Sequence, residues 1–262
     1  MKTKKNYTKL ACFVAVTLFS ICTNAAESSQ WEGLYGGVGL GAQYNAVSPK
    51  NKIVVGDSNS YFTDGDPQQV NPSLQKNLDE LDATGSLILG YNLQHEQWLY
   101  GVEADLTIYD YDKSNTLGPT SYNTASSIEY NFKTTVKSMY AFSIRLQMGY
   151  VFDDFMVNVG VGPSLSKFKY SMTYSETGSS AHVTSPEKYT DNSTELGVSS
   201  NIGLSYRIDD NWSLRGDYVF NYYPNVVDKT QKFNANGSYT AIIDHKVDFI
   251  SHNVRLVLVR RF

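Results

Sequence analysis

The chain has 262 residues, with 22 Lys and Arg against 26 Asp and Glu, a formal balance of −4 at pH 7. That acidic balance argues against nucleic acid as a partner. An apolar share of 41% and a mean hydropathy of −0.34 match a soluble protein, but also any chain in which every second strand residue is polar.

Lys2, Lys4, Lys5 and Lys9 form a basic leader ahead of an apolar run over 10–21, and Thr23 and Ala25 are placed for cleavage after Ala25. This three-part form predicts a secretory signal peptide over 1–25, leaving 26–262 as one exported domain. The apolar run is too short for a transmembrane helix, which needs about 20 residues. Both cysteines, Cys12 and Cys22, fall in the leader, so the exported part has neither a disulfide framework nor thiol chemistry. Ile21 before Cys22 opposes lipidation, where a small residue is wanted. Without the four leader lysines, 18 basic residues face 26 acids, a balance of −8.

From there on, apolar residues recur with period two and no long stretch has helical periodicity. The first strand is expected over 34–44, with Leu34, Val38, Leu40, Ala42 and Tyr44 on one face and Gly37, Gly39 and Gly41 on the other. The second (83–93) and third (98–110) follow, the latter with Trp98, Tyr100, Val102, Ala104, Leu106 and Ile108 on its apolar parity. The fourth (135–151) carries Val136, Tyr140, Phe142, Ile144, Leu146, Met148 and Tyr150. Strands over 155–167, 195–208 and 212–222 continue the pattern, and an eighth ends at Phe262. Each is long enough to cross a bilayer tilted.

Tight turns at 94–97, 152–154 and 209–211 alternate with long connections at 45–82, 111–134, 168–194 and 223–244. This predicts an all-β, eight-stranded antiparallel up-and-down transmembrane β-barrel with short periplasmic turns and four long extracellular loops. Ile53-Val54-Val55 leaves a ten-stranded variant open. An interfacial aromatic girdle is expected from Trp31, Trp98 and Trp212, which open strands on the short-turn side, and from Tyr91, Tyr150 and Tyr206 at the same level.

Opposite the apolar stripes stand Glu103, Asp105, Lys137, Arg145, Glu195, Arg207, Arg215, Asp217 and Arg255. A basic residue at mid-bilayer costs roughly 2–4 kcal/mol on the lipid side, so this face must line the bore. An eight-stranded barrel is just wide enough to be filled by side chains. An internal ion-pair network is therefore expected, leaving the bore plugged or water-filled but non-conducting.

The segment Trp31-Glu32-Gly33-Leu34-Tyr35-Gly36-Gly37-Val38-Gly39-Leu40-Gly41, the Gly90-Tyr91-Asn92 ending of the second strand and the closing Arg261-Phe262 resemble the small outer-membrane β-barrel proteins of Gram-negative bacteria. That group includes the OmpA transmembrane domain and opacity-type surface proteins. The resemblance implies a cell outer membrane location, loops extracellular and both termini periplasmic, amid membrane lipid and lipopolysaccharide. It also implies that Leu256, Leu258 and Phe262 form the C-terminal insertion signal read by the barrel-insertion machinery. Arg260 departs from the pattern, since that position is usually Tyr or apolar, but a long Arg can snorkel to headgroups. No periplasmic domain is expected beyond Phe262.

The leading functional expectation is a non-enzymatic surface protein, adhesive or partner-binding through its loops. Segments such as Tyr170-Ser171-Met172-Thr173-Tyr174-Ser175-Glu176-Thr177 have the composition of adaptable contact surfaces, suited to host-surface or matrix molecules. One alternative is a narrow porin-like channel, for which inward Gly37, Gly39, Gly41 and Gly160 would leave water-filled space. A lipid-modifying enzyme is a weaker alternative. Ser251 and His252 are strand neighbours pointing to opposite faces, and His182 and Ser185 lack a strand to fix them. No catalytic residue, cofactor or metal site is expected. Four scattered histidines form no ligand cluster, and Gly33 to Gly41 alternates as a strand instead of opening a helix.

Overall fold

A computed structural model describes residues 30–262, so the leader features, from Lys2 to the cleavage site at Ala25, lie outside the described residues. The elements are β1 (Gly33–Pro49), β2 (Lys52–Val54), α1 (Asp66–Leu74), β3 (Glu80–His95), β4 (Trp98–Ser121), β5 (Glu129–Phe152), β6 (Phe155–Thr177), β7 (Glu187–Arg207), β8 (Trp212–Asn236) and β9 (Tyr239–Arg261). The eight long strands pair antiparallel in chain order, and β9 closes the ring on β1 through a ladder from Tyr35↔Arg261 to Pro49↔Val247. Closure leaves no lipid-facing edge, as an apolar solvent requires of the backbone.

Lower strand halves present apolar residues outward. Leu40, Leu146 and Val254 are 78%, 71% and 63% exposed. Comparable outward side chains on all eight long strands form a continuous band, far larger than the apolar patches a soluble monomer exposes. Only acyl chains satisfy such a surface.

The strands do not stop at the top of that band. The β5–β6 ladder continues to Glu129↔Thr177 and the β8–β9 ladder to Asn236↔Tyr239. Three of the four stretches expected as loops are therefore mostly strand, and only the first connection is a true excursion. Within it β2 pairs with β9 alone and adds no further hairpin. The stretch from Tyr170 to Thr177, expected as a loop contact surface, is instead strand with one face turned inside. Tyr170, Met172, Tyr174 and Glu176 point inward and are buried.

In this head the solvent of each face is reversed. Phe132, Tyr170, Met172, Tyr174, Ile243 and Phe249 pack inside with Ile53, Phe62, Val70, Leu74 and Leu78 of the first connection. Tyr61 of that connection donates to the buried Glu176 carboxylate at 2.7 Å, and the hydroxyl of Tyr174 and the main-chain N–H groups of His182 and Val183 join it. α1 is tied to the β4–β5 hairpin by Gln69 to the Ser121 carbonyl (2.8 Å) and by Asp66 accepting from Thr124 (2.5 Å).

A register shift on β5 between Ser138 and Ala141 flips its parity. Below it Phe142, Ile144 and Leu146 face out as expected; above it Val136 turns inward and is buried. Lys137 consequently sits on the outer face, ion-paired with Asp112, and is not a bore residue.

Candidate functional site

Six of the expected bore charges meet at one level. Glu103 and Asp105 come from β4, Arg145 from β5, Arg215 and Asp217 from β8, and Arg255 from β9. Register sets two direct cross-strand pairs, Glu103↔Arg145 on one wall and Asp217↔Arg255 on the other. Arg145 reaches Glu103 at 2.9 Å and Asp105 at 2.7 Å. Arg215 reaches Glu103 at 2.6 Å and Asp217 at 2.9 Å. Arg255 completes the circuit with Asp217 at 3.2 Å and with Asp105. Each acid meets two guanidiniums and each guanidinium two acids, in a closed, neutral ring across the bore.

The ring is held by neutral neighbours. Tyr35 donates to Glu103 at 2.9 Å, Thr107 to Asp105 at 2.8 Å, and Arg145 to Ser199 at 3.0 Å. Tyr35 reaches the ring because it crosses Gly90, where an added Cβ would lie 2.3 Å from the phenol. The space beside the inward glycines is taken by protein, not water. An added Cβ at Gly39 would meet Ser86, at Gly41 Arg255, and at Gly160 Asn201 and Gln147, all within 2.6 Å. Below the ring Gln147 bonds Asn201 and Asn158. A cavity of about 40 Å³ bounded by Trp31, Asn158 and Arg215 is room for only a few waters.

The other three expected bore charges stand elsewhere. Lys137 is on the head exterior, as described. Glu195 keeps the inward parity on β7 but lies half-buried, outside the ring. Arg207 clamps the β5–β6 turn through Asp154 and reaches Asp210 at 3.8 Å. Both share the inward parity of the ring residues, but parity says nothing of height along the barrel.

Of the aromatic set, Tyr91, Trp98, Tyr150, Tyr206 and Trp212 face outward at the short-turn end, with Trp98 and Tyr150 edge to face at 5.2 Å. Trp31 does not join them. It precedes β1 and turns into the bore, packing with Leu99, Val151 and Met156 as a stopper. Leu256 and Leu258 face outward, and Phe262 is 71% exposed, its N–H bonded to the Leu34 carbonyl at 2.9 Å. The Arg260 guanidinium lies 5.6 Å from the Trp212 ring centre and 5.4 Å from that of Phe262, which gives this outward cation aromatic company.

Ser251 faces inward and accepts from Asn221, whereas His252 faces outward beside Tyr218 at 2.7 Å, so the two do not meet. A residue that periodicity did not single out is His245, buried in the head. Its Nδ1 is 2.9 Å from the Tyr170 hydroxyl, its Nε2 3.2 Å from Gln231, and its ring stacks on Tyr189 at 4.4 Å. Burial pulls its pKa down to about 4, against a weaker upward pull from Asp244.

The fold and bore define the molecule as a plugged, eight-stranded transmembrane barrel with a built head. The model of the outer membrane protein beta-barrel domain matches residues 13–240, and the chain belongs to that family. This places the protein in the cell outer membrane. The 31 kDa outer-membrane immunogenic proteins of Brucella melitensis and Brucella suis are each 25% identical over 240 residues, 90% of this chain and 85% of theirs. Among solved structures, the outer membrane protease OmpT of Escherichia coli aligns over 88% of this chain and 97% of its own, at 9% identity and TM-score 0.49. OprG of Pseudomonas aeruginosa aligns over 88% and 97%, at 13% and 0.39. The attachment invasion locus protein Ail of Yersinia pestis aligns over 86% and 99%, at 11% and 0.26.

Arg145→Met leaves Glu103 and Asp105 short of a buried counter-charge and should cost about 3–5 kcal/mol, read as a lowered unfolding midpoint in detergent. Lys137→Met, on the exposed pair, should cost at most about 1 kcal/mol. The head should also loosen in acid. The unfolded chain protonates His245 near 6.5 and the folded head only near 4. Stability present above pH 6.5 is therefore lost as pH falls toward 4, by an order of ~3 kcal/mol. Hydrogen exchange in the β8–β9 hairpin should show that slope, and His245→Asn should flatten it.

Proposed function

We propose that the protein is a non-enzymatic surface barrel whose head is its partner-binding part, with the head outside the cell and the short turns and both termini in the periplasm. The carrying observation is the head itself. Anchoring needs only the apolar band, yet β6 continues from Leu165, the last exposed apolar residue of its band, to Thr177. At about 3.3 Å per residue that is roughly 40 Å of further strand. Its apolar interior and pinned first connection make it a rigid platform, which limits the ordering cost of binding. Host-surface or matrix molecules are the partners this arrangement suits.

The asymmetry of the ends supports this orientation, since short turns face the periplasm in barrels of this kind. Outward Leu256, Leu258 and Phe262 are then at the periplasmic end, where the insertion machinery would read them. Packing of the bore supports a closed barrel over the channel reading. The opposed faces of Ser251 and His252 support a non-enzymatic one, because a nucleophile and its base must be within hydrogen-bond reach.

Refolded protein should bind host-cell or matrix preparations, and a barrel with hairpins trimmed to the apolar band should not. Equal binding by both would remove the adhesive reading. In planar bilayers the intact protein should be silent, and steady unitary conductance would restore the channel.

A further inference from the structure

We propose that the upper, free edge of β7 is a strand-acceptor site for an extended basic peptide segment, so that the partner adds to the head as a further β-strand. The inference rests on the head being the partner-binding part and names where and how it binds.

The ladder between β7 and β8 ends at Val198↔Tyr222, although β7 runs up to Glu187 and β8 on to Asn236. The cause lies in β8. Pro224 cannot donate, Asn225 has a φ of 51°, and the β8–β9 register shifts between Tyr223 and Val227. β8 is thereby blunted in the ways natural edge strands are. β7 is not. It pairs with β6 without a register shift from Phe155↔Tyr206 to Tyr174↔Glu187, and residues 187–197 contain no proline. Above the break, among the described residues, the seam is crossed only by side chains, the Ser193 hydroxyl donating to the Val226 carbonyl at 3.2 Å and Tyr189 stacked on His245, and an added strand would replace these contacts. Every second residue of this stretch turns its N–H and C=O toward β8 without a ladder partner.

The side chains say what fits. Glu187, Asp191 and Glu195 recur every four residues on the inward parity of the free edge, half-buried, whereas the inward residues of the adjoining β6 are buried. Among the described residues none of the three is in an ion pair. On an added strand, residues directly opposite these carboxylates lie on the same face, so basic side chains four apart would meet them. A second copy of this chain is disfavoured. Antiparallel self-pairing centred on Asp191 would set Glu187 against Glu195, and like charges directly opposite destabilise. Main-chain bonds would supply affinity and the acid spacing specificity, as in other strand-addition complexes.

The test uses the full protein in detergent micelles and a fluorescent nonapeptide, Lys-Thr-Val-Thr-Lys-Thr-Val-Thr-Lys, followed by anisotropy. Two further peptides are N-methylated on odd or on even residues, and a fourth has Glu for Lys. The expected result is binding of the parent peptide, a loss of at least tenfold for one methylation phase and not the other, and no binding of the Glu peptide. The variant E187Q/D191N/E195Q should bind the parent at least tenfold more weakly, with its folded state checked by unfolding midpoint. Equal binding of both methylated phases would reduce the effect to charge attraction and overturn strand addition, as would no binding of the parent. If the triple variant keeps full binding to host or matrix preparations, the β7 edge is not the contact, while the head as binding part survives.

Discussion

Every other feature of the barrel depends on how six buried charges are satisfied in a bore too narrow for bulk water. Ionised groups taken out of water are tolerated only with close counter-charges and filled hydrogen-bond positions. Here the two cross-strand pairs are joined across the lumen, by Arg215 to Glu103 and by Arg255 to Asp105, so that no charge has a single partner. The same contacts tie four strands on opposite walls together. A lipid-solvated barrel gains little from apolar contact with its surroundings, because the acyl chains are as apolar as its own Leu side chains. Its cohesion rests on the ladders and on polar links of this kind.

Along each strand, what counts as inside changes with the solvent. In the band, the outward parity meets lipid and the bore is polar. In the head, water is outside and the inward parity carries Phe132, Tyr174 and Phe249. The chain passes between regimes without changing secondary structure. On β9 one parity supplies both, with Arg255 at ring level and Phe249 and Ile243 above it. On β5 the change coincides with the Ser138/Ala141 bulge.

This explains what could and could not be read from the residues. Strand existence, lipid-facing parity and the tight turns were legible because each apolar stripe is regular and the turns are short. The head was not, although Tyr170, Met172, Tyr174 and Glu176 also alternate. Their polar neighbours match loop composition, and the strand is long enough for the membrane without them. Ring membership was legible only as inward parity. Register across β4–β5 and β8–β9 depends on distant connections, so nothing local tells Asp217 from Arg207, which lie ten residues apart on one hairpin. Trp31 departs from the expected girdle for a similar reason, because parity has no meaning ahead of the strand's first paired residue, Gly33.

Among the described residues the ring of ladders has two gaps in the head, and the chain treats them differently. Between β9 and β4, above the end of β3, the first connection fills the gap: β2 pairs with β9, and α1 bonds to Ser121 and Thr124. Between β7 and β8 no such segment intervenes among the described residues, and only one of the two edges is blunted. An exposed strand edge is an aggregation hazard that natural sheets suppress. Leaving 187–197 regular while lining it with three acids meets that hazard by charge instead of geometry. Identical edges repel, and a basic strand does not. A seam blunted on the β8 side, and lined on the β7 side by three acids with the Ser193 bond and the Tyr189–His245 stack as its side-chain bridges, is asymmetric in the way a selective acceptor must be.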